Sequence, residues 1–193
     1  KLVASDAASL DQFSRSLSLR GNRLIVGAPQ NEVTLFNQGA AYVFDRVGST
    51  WTQTTRLLAS DAALDDQFGY GVALGVDYAL IGARFDDAVA TDAGSVYAYR
   101  NAGGTWTNEV TTTATGAAAG DRYGDSVALS GSTALVGAPY RDSSGANSGA
   151  AYIVRVTVTK LSGEACGSGA GCTTGFCVDG VCCDTACGGN NAT

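Results

Sequence analysis

The sequence has no histidine and no methionine among its 193 residues. The lack of histidine excludes a Ser-His-Asp triad, a Cys-His dyad and every histidine-ligated zinc or haem site. The lack of methionine excludes thioether ligation of a metal. The chain also has no apolar run of the roughly 18 to 20 residues that cross a bilayer, so we expect no membrane insertion.

Basic residues are scarce as well. The chain has 12 Lys and Arg against 18 Asp and Glu, which gives a formal net charge of -6 at pH 7. A protein of this charge, without a basic stripe, is poorly suited to phosphate backbones, so we expect no nucleic-acid partner. The hydrophobic fraction of 45% is sufficient for a buried core, and a disordered chain is therefore not expected.

Cysteine is missing from most of the chain and concentrated at its end. The six residues are Cys166, Cys172, Cys177, Cys182, Cys183 and Cys187. This change in usage predicts two domains, residues 1–161 and a cysteine-rich tail over residues 162–193. Disulfides are the expected staple of so short a segment and indicate an extracellular or cell-surface location. The spacing does not choose among the connectivities, and zinc ligation is the alternative.

The first domain contains three copies of a sequence repeat, with a period of 55 residues and approximate bounds of 1–54, 55–109 and 110–161. The residues in register include Asp11, Asp66 and Asp121, then Phe13, Phe68 and Tyr123, and then the pairs Gly27-Ala28, Gly82-Ala83 and Gly137-Ala138. A fixed period of this length is typical of solenoids and propellers.

Apolar residues alternate with a period of two within each repeat, as at Leu17 and Leu19, and this alternation predicts strands. Each repeat has room for four short antiparallel strands, the number in one propeller blade. We therefore predict an all-β fold of three four-stranded antiparallel propeller blades followed by a small disulfide-rich tail. Residues 2–6 align with residues 57–61, which predicts an additional outer strand at the start.

The second and third repeats contain Phe68-Gly69 followed by Gly82-Ala83, and Tyr123-Gly124 followed by Gly137-Ala138-Pro139. In these elements the chain resembles the FG-GAP repeats that build the propeller of integrin α-subunits and many bacterial surface proteins. Ser14 stands where the motif has glycine, and Arg84 where it has proline. The resemblance implies a propeller with a role in binding or adhesion.

Propellers close with roughly four to eight blades, so three blades leave two apolar faces open. We expect these faces to bind further blades of a longer chain or other copies of this chain, in a ring or a filament. The chain itself is therefore the first expected partner, and a glycan or protein ligand is the second.

Integrin-type blades bind calcium in an Asp-x-Asp-x-Asp-Gly-like loop between the first two strands, and this chain lacks that loop. The longer loops between the second and third strands offer other oxygen donors for calcium or a polar ligand: Asp86, Asp87, Asp92, Asp142 and Asn147. The alternative is that these residues belong to solvated turns. Calcium is the only candidate cofactor.

The repeated aspartates, of which Asp11 is the first, are interpreted as caps that accept backbone N–H groups. The repeated aromatic residues are interpreted as packing between blades. Asn191 starts an Asn-x-Thr sequon, a candidate glycosylation site.

We therefore expect a non-enzymatic, extracellular binding or adhesion module. The alternative is a structural subunit that assembles head to tail. A third hypothesis, a glycan-active hydrolase, would use adjacent carboxylates such as Asp65-Asp66 or Asp86-Asp87.

Overall fold

The computed structural model describes residues 1–156, 176–178 and 181–183. The secondary structure assigned in these residues consists of β-strands, and none of them is helical. The chain divides into two compact units, Lys1–Arg155 and Val156–Thr193. The described residues include no helix long and apolar enough to cross a membrane.

Each repeat forms one antiparallel sheet in the first unit. Blade 1 contains, in order, β1 (Ser16–Arg20), β2 (Arg23–Ala28), β3 (Ala40–Val47) and β4 (Thr50–Leu57). Blade 2 contains β5 (Phe68–Leu74), β6 (Tyr78–Ala83), β7 (Ser95–Ala102) and β8 (Thr105–Thr112). Blade 3 contains β9 (Ser126–Ser130), β10 (Thr133–Ala138) and β11 (Ala150–Arg155). The predicted all-β blades are confirmed, with three described strands in the third.

The second unit contains a short hairpin of β12 (Phe176–Val178) and β13 (Val181–Cys183). Cys177 lies opposite Cys182 in its register. Cys166, Cys172, Cys187 and Asn191 lie outside the described residues. The disulfides of the tail and the glycosylation site therefore stay predictions.

Local sequence explains the shape of each blade. Gly21 takes the left-handed conformation, with φ of 56°, in the two-residue turn that joins β1 to β2. The outer strand β4 alternates between exposed and half-buried residues, as its β-branched threonines favour. The predicted outer strand over residues 2–6 is wrong, since no strand is assigned there. The equivalent residues 58–61 also lie beyond the end of β4.

The main core lies between blades 1 and 2. Each blade has an aromatic face, which carries Tyr42, Tyr97 or Tyr152, and an aliphatic face, which carries Ile25, Leu80 or Leu135. Ile25, Ala41 and Val43 from the aliphatic face of blade 1 join residues of the aromatic face of blade 2 in one cluster: Phe68, Val72, Leu74, Ala79, Ile81, Ala83, Tyr97 and Tyr99. The predicted packing of aromatic residues between blades is confirmed.

Glycine allows the backbones of successive blades to touch. A Cβ built on Gly27 would lie 1.9 Å from the carbonyl oxygen of Gly69 in blade 2. A Cβ on Gly82 would lie at the same distance of 1.9 Å from the carbonyl oxygen of Gly124 in blade 3. Successive blades could not keep their relative positions if Gly27 and Gly82 carried side chains.

We expect Gly82→Ala to lower the free energy of unfolding by about 3 kcal/mol, because the new methyl group would force blades 2 and 3 apart. The matched control is Gly145→Ala, since a Cβ on Gly145 meets no atom within 4 Å. Urea denaturation of both variants measures the difference. Equal stability of the two variants would show that the contact does not constrain the blades.

Candidate functional site

The predicted ligand residues in the long loops form equivalent turns in two blades. The Oδ1 atom of Asp87 accepts the backbone N–H of Asp92 at 2.7 Å. In blade 3, Oδ1 of Asp142 accepts the backbone N–H of Asn147 at 2.6 Å. Asp92 and Asn147 both have φ of 53°, a left-handed conformation that Asp and Asn tolerate better than most residues. Turn geometry is therefore sufficient to explain why Asp or Asn stands at these four positions.

Asp86 differs from this group because its side chain is buried. Its Oδ1 atom accepts hydrogen bonds from the Ser95 hydroxyl at 2.6 Å and from the Ala88 N–H at 2.9 Å. The described part of the chain contains no group of three or more His, Cys, Asp or Glu side chains arranged to hold a metal ion. Calcium binding by the long loops stays a prediction.

The repeated aspartates act as buried caps in all three blades, as predicted. The Oδ2 atoms of Asp11, Asp66 and Asp121 accept the N–H of Ala8, Ala63 and Ala118 at 2.7, 2.6 and 2.8 Å, respectively. Adjacent carboxylates such as Asp65 and Asp66 are thereby separated, since Asp66 is buried in its cap and Asp65 is exposed.

The residue beside the cap has a different charge in each blade. In blade 1, Nδ2 of Asn31 donates to Asp11 at 3.2 Å, and in blade 3, Nη1 of Arg141 donates to Asp121 at 2.7 Å. Asp86 occupies the equivalent position in blade 2. Blade 2 alone therefore places a second buried carboxylate near its capping aspartate, Asp66.

A tyrosine hydroxyl joins this acidic cluster to the preceding loop. The Tyr97 oxygen lies 2.7 Å from Oδ1 of Asp61 and 2.7 Å from Oδ2 of Asp86. One phenol proton can be donated to only one of these carboxylates. When both acids are ionised, the other carboxylate faces a lone pair. Asp61 and Asp86 therefore compete for a single donor.

Burial raises the pKa of Asp66 to about 6 from its ordinary value of 3.8. The hydrogen bond from Ala63 opposes the rise, and the negative charge of Asp86 adds to it. The folded state therefore binds the proton more tightly than the unfolded state. Asp66 destabilises the fold when it is ionised at neutral pH.

Arginines alternate with aromatic rings along the three blades. In order of contact, this arginine–aromatic ladder consists of Arg15, Tyr70, Arg84, Phe85, Arg122 and Tyr140. Each guanidinium carbon lies 3.6 to 4.8 Å from a neighbouring ring centroid. Arg15 crosses from blade 1 to blade 2, and Arg122 from blade 3 to blade 2. The ladder therefore connects all three blades.

The aliphatic face of blade 3 is open. Ile25 and Leu80, at one repeat position, are buried, whereas Leu135 at the same position is 47% exposed. Val43 and Ala98 are likewise buried, whereas the equivalent Ile153 is 78% exposed.

The aromatic face of blade 1 is open along its inner strand. Leu17 and Leu19 are 59% and 65% exposed, whereas the equivalent Val72 and Leu74 are each 6% exposed. Further out, this face of blade 1 is covered by residues that include Leu2 and Ala4.

Antiparallel sheets in a regular repeat, in contact through glycines at fixed positions, define a propeller-type repeat protein. A model of the FG-GAP repeat matches residues 1–44, 51–99 and 106–154. The chain belongs to the FG-GAP repeat family. A comparison with curated proteins found no match.

We expect Asp86→Asn to stabilise the protein at pH 7.5 by about 1 kcal/mol, since the amide can donate where the carboxylate cannot. Wild-type stability should fall as the pH rises from 4 towards 6, the interval between the unfolded and folded pKa values of Asp66. The decrease should be smaller in Asp86→Asn and absent in Asp66→Asn.

Urea denaturation between pH 4 and pH 7.5 measures all three proteins. Asp77→Asn is the matched control, because Asp77 is an exposed aspartate in the first turn of the same blade. A wild-type stability that rises steadily over this interval in parallel with the variants would contradict the assignment.

Proposed function

We propose that this chain is a non-enzymatic binding module that works outside the cell and stacks its blades on those of further copies. The observation that carries the proposal is the pair of open blade faces, which repeat the positions of the buried contact between blades 1 and 2. Modules of the propeller type are often used in binding and adhesion. Stacking of several copies would repeat the binding surface of each copy along the assembly.

The two open faces are of opposite kinds. Within the chain, the aromatic face of blade 2 packs on the aliphatic face of blade 1. The open faces are the aliphatic face of blade 3 and the aromatic face of blade 1. The same packing rule places blade 1 of a second copy on blade 3. Such a contact is heterologous and leads to a ring or to a filament.

Charge at the inner strands favours the same arrangement. Arg15 donates to the Tyr70 hydroxyl at 2.5 Å across the first blade boundary, and the two residues share one repeat position. Asp125 occupies this position in blade 3. In a head-to-tail contact, Asp125 would therefore face Arg15 of the next copy, an acidic group opposite a basic one.

Gly137 in blade 3 also favours the docking of a further blade. A Cβ on Gly137 would meet the Ser126 hydroxyl at 2.4 Å and no backbone atom closer than 3.8 Å. The chain thus keeps a glycine at the position where Gly27 and Gly82 touch the following blade. The space beside Gly137 matches the carbonyl group that a docked Ser14 would bring, since Ser14 has φ of 76°, in the left-handed region of Gly69 and Gly124.

Two features support a non-enzymatic, extracellular role. The chain lacks histidine, and the buried carboxylates of Asp66 and Asp86 are used in hydrogen bonds within the fold. The concentration of six cysteines in the tail favours an oxidising compartment.

A second candidate function is recognition of a glycan or protein ligand at the loop end of the blades. The loop between β2 and β3 is bonded to blade 2, where Phe68 N–H donates to Gln38 at 3.0 Å and Asp65 N–H donates to Phe36 at 2.9 Å. The second of these hydrogen bonds brings the backbone of Phe36 next to that of Asp65, and the side chains of Phe36 and of the adjacent Leu64 are both exposed. An apolar patch on a polar loop surface is typical of a contact site.

We expect the wild-type chain to sediment with a mass that is a multiple of 19.5 kDa and that rises with concentration. Ile153→Lys should restore the monomer, because it places a charge in the docked face. Gly137→Ala should weaken assembly by at least about tenfold without unfolding the blade. Analytical ultracentrifugation measures the masses.

Val47→Lys is the matched control, since Val47 is 83% exposed on the hairpin between β3 and β4 and lies outside both faces. The assembly of this variant should equal that of the wild type. A wild-type monomer at about 100 μM, or assembly that survives both Ile153→Lys and Gly137→Ala, would overturn head-to-tail stacking.

For the loop end, we expect Phe36→Ser to reduce ligand binding on an array of glycans and surface proteins by about tenfold, with assembly unchanged. Val47→Ser serves as the control for loss of an exposed apolar side chain. Wild-type binding by Phe36→Ser, or an equal loss of binding in Val47→Ser, would remove the loop end as a ligand site.

A further inference from the structure

A groove of about 390 Å³ lies between the first turn of blade 1 and that of blade 2. It is lined by residues 20–23, 45–46 and 75–76. Three guanidinium groups and one carboxylate belong to this lining, which gives the groove a formal charge of +2. A positive groove on a chain of net charge -6 is a local reversal of sign.

Two of the three guanidinium groups are held in place. Nε and Nη2 of Arg23 donate to the two carboxylate oxygens of Asp45 at 2.7 and 3.2 Å. Nε and Nη2 of Arg46 both donate to Oδ1 of Asn22 at 3.1 and 2.7 Å. Because these contacts limit rotation of both side chains, the groove is organised before any ligand arrives.

The same two arginines each have an indole ring nearby. The guanidinium carbon of Arg23 lies 5.4 Å from the ring centroid of Trp106, and that of Arg46 lies 5.6 Å from the ring centroid of Trp51. Each arginine thus has a polar partner and an aromatic neighbour. This arrangement limits the entropy that these side chains would lose on binding.

Arg20 is the group available to a ligand. It is exposed, it lines the groove, and none of the side chains described in the blades forms a hydrogen bond or an ion pair with it. Its planar fork can donate two parallel hydrogen bonds to one carboxylate. The pair formed by Arg23 and Asp45 is an example of this geometry inside the same groove.

The equivalent boundary between blades 2 and 3 lacks arginine at two of these positions. Gly75 takes the place of Arg20, and Tyr78 takes the place of Arg23. The Tyr78 hydroxyl donates across the boundary to the carbonyl oxygen of Gly131. The tyrosine therefore bridges the space between the turns that remains open beside blade 1. The arginines of the first boundary are not required by the blade fold.

We propose that this groove binds an organic carboxylate of monosaccharide size, such as a uronate. The carboxylate is bound by Arg20, and the positive charge of Arg46 adds long-range attraction, whereas the charge of Arg23 is offset by Asp45. The volume of about 390 Å³ exceeds that of a bare oxyanion and is in the range of small-ligand sites. The site is independent of blade stacking and of the loop-end patch.

The experiment is calorimetric titration of the full chain with glucuronate at low salt. Glucose and inorganic sulfate are titrated in parallel. We expect glucuronate to bind with a Kd of about 1 mM, which weakens as ionic strength is raised, and glucose not to bind. Arg20→Gln should weaken glucuronate binding by at least about tenfold.

Arg155→Gln is the matched control, because it removes the same charge from an exposed arginine in blade 3. It should bind glucuronate as the wild type does. No binding up to about 50 mM, or equal affinity of the two variants, would overturn the site. If sulfate bound as tightly as glucuronate, the proposal that the ligand is an organic carboxylate would be wrong.

Discussion

The blade stack depends on close backbone contact at glycine positions. Gly27 and Gly82 each face a carbonyl oxygen of the following blade, with no room for a side chain between them. Packed sheets are otherwise about 10 Å apart, so this contact fixes where each blade lies against its neighbour. On the aromatic face of each blade, a T-shaped pair of aromatic rings lies at equivalent positions. The glycines therefore set the position, and the rings supply the buried area.

Repetition preserves the backbone and leaves the polar partners free to vary. The buried cap recurs in every blade, but its neighbour is an amide at Asn31, a carboxylate at Asp86 and a guanidinium at Arg141. The unfavourable combination lies in blade 2, which has a packed blade on each side. Since those neighbours stabilise blade 2 through both faces, it can tolerate like charges that an end blade would tolerate less well.

The sequence was sufficient to predict the blades, because alternation and a 55-residue period are local signals. It also predicted the aspartate caps, whose donors lie three residues away. The sequence did not predict that Asp86 is buried while Asp87 is exposed, because the burial of Asp86 depends on Ser95 and Tyr97 from the next strand. The arginine–aromatic ladder and the arginine groove were missed for a similar reason. Their members are distant in sequence and come together only when neighbouring blades pack.

The unequal ends of the stack determine what kind of particle it can form. If both open faces were alike, two copies would pair about a two-fold axis and leave no face free. Because one face is aliphatic and the other aromatic, every contact in the proposed head-to-tail assembly would leave one face of each kind exposed. Growth of such an assembly would stop only when the accumulated rotation between blades closes a ring. Propellers close at roughly four to eight blades, so two copies already supply enough, and the rotation set by the glycine contacts decides between a ring and a filament.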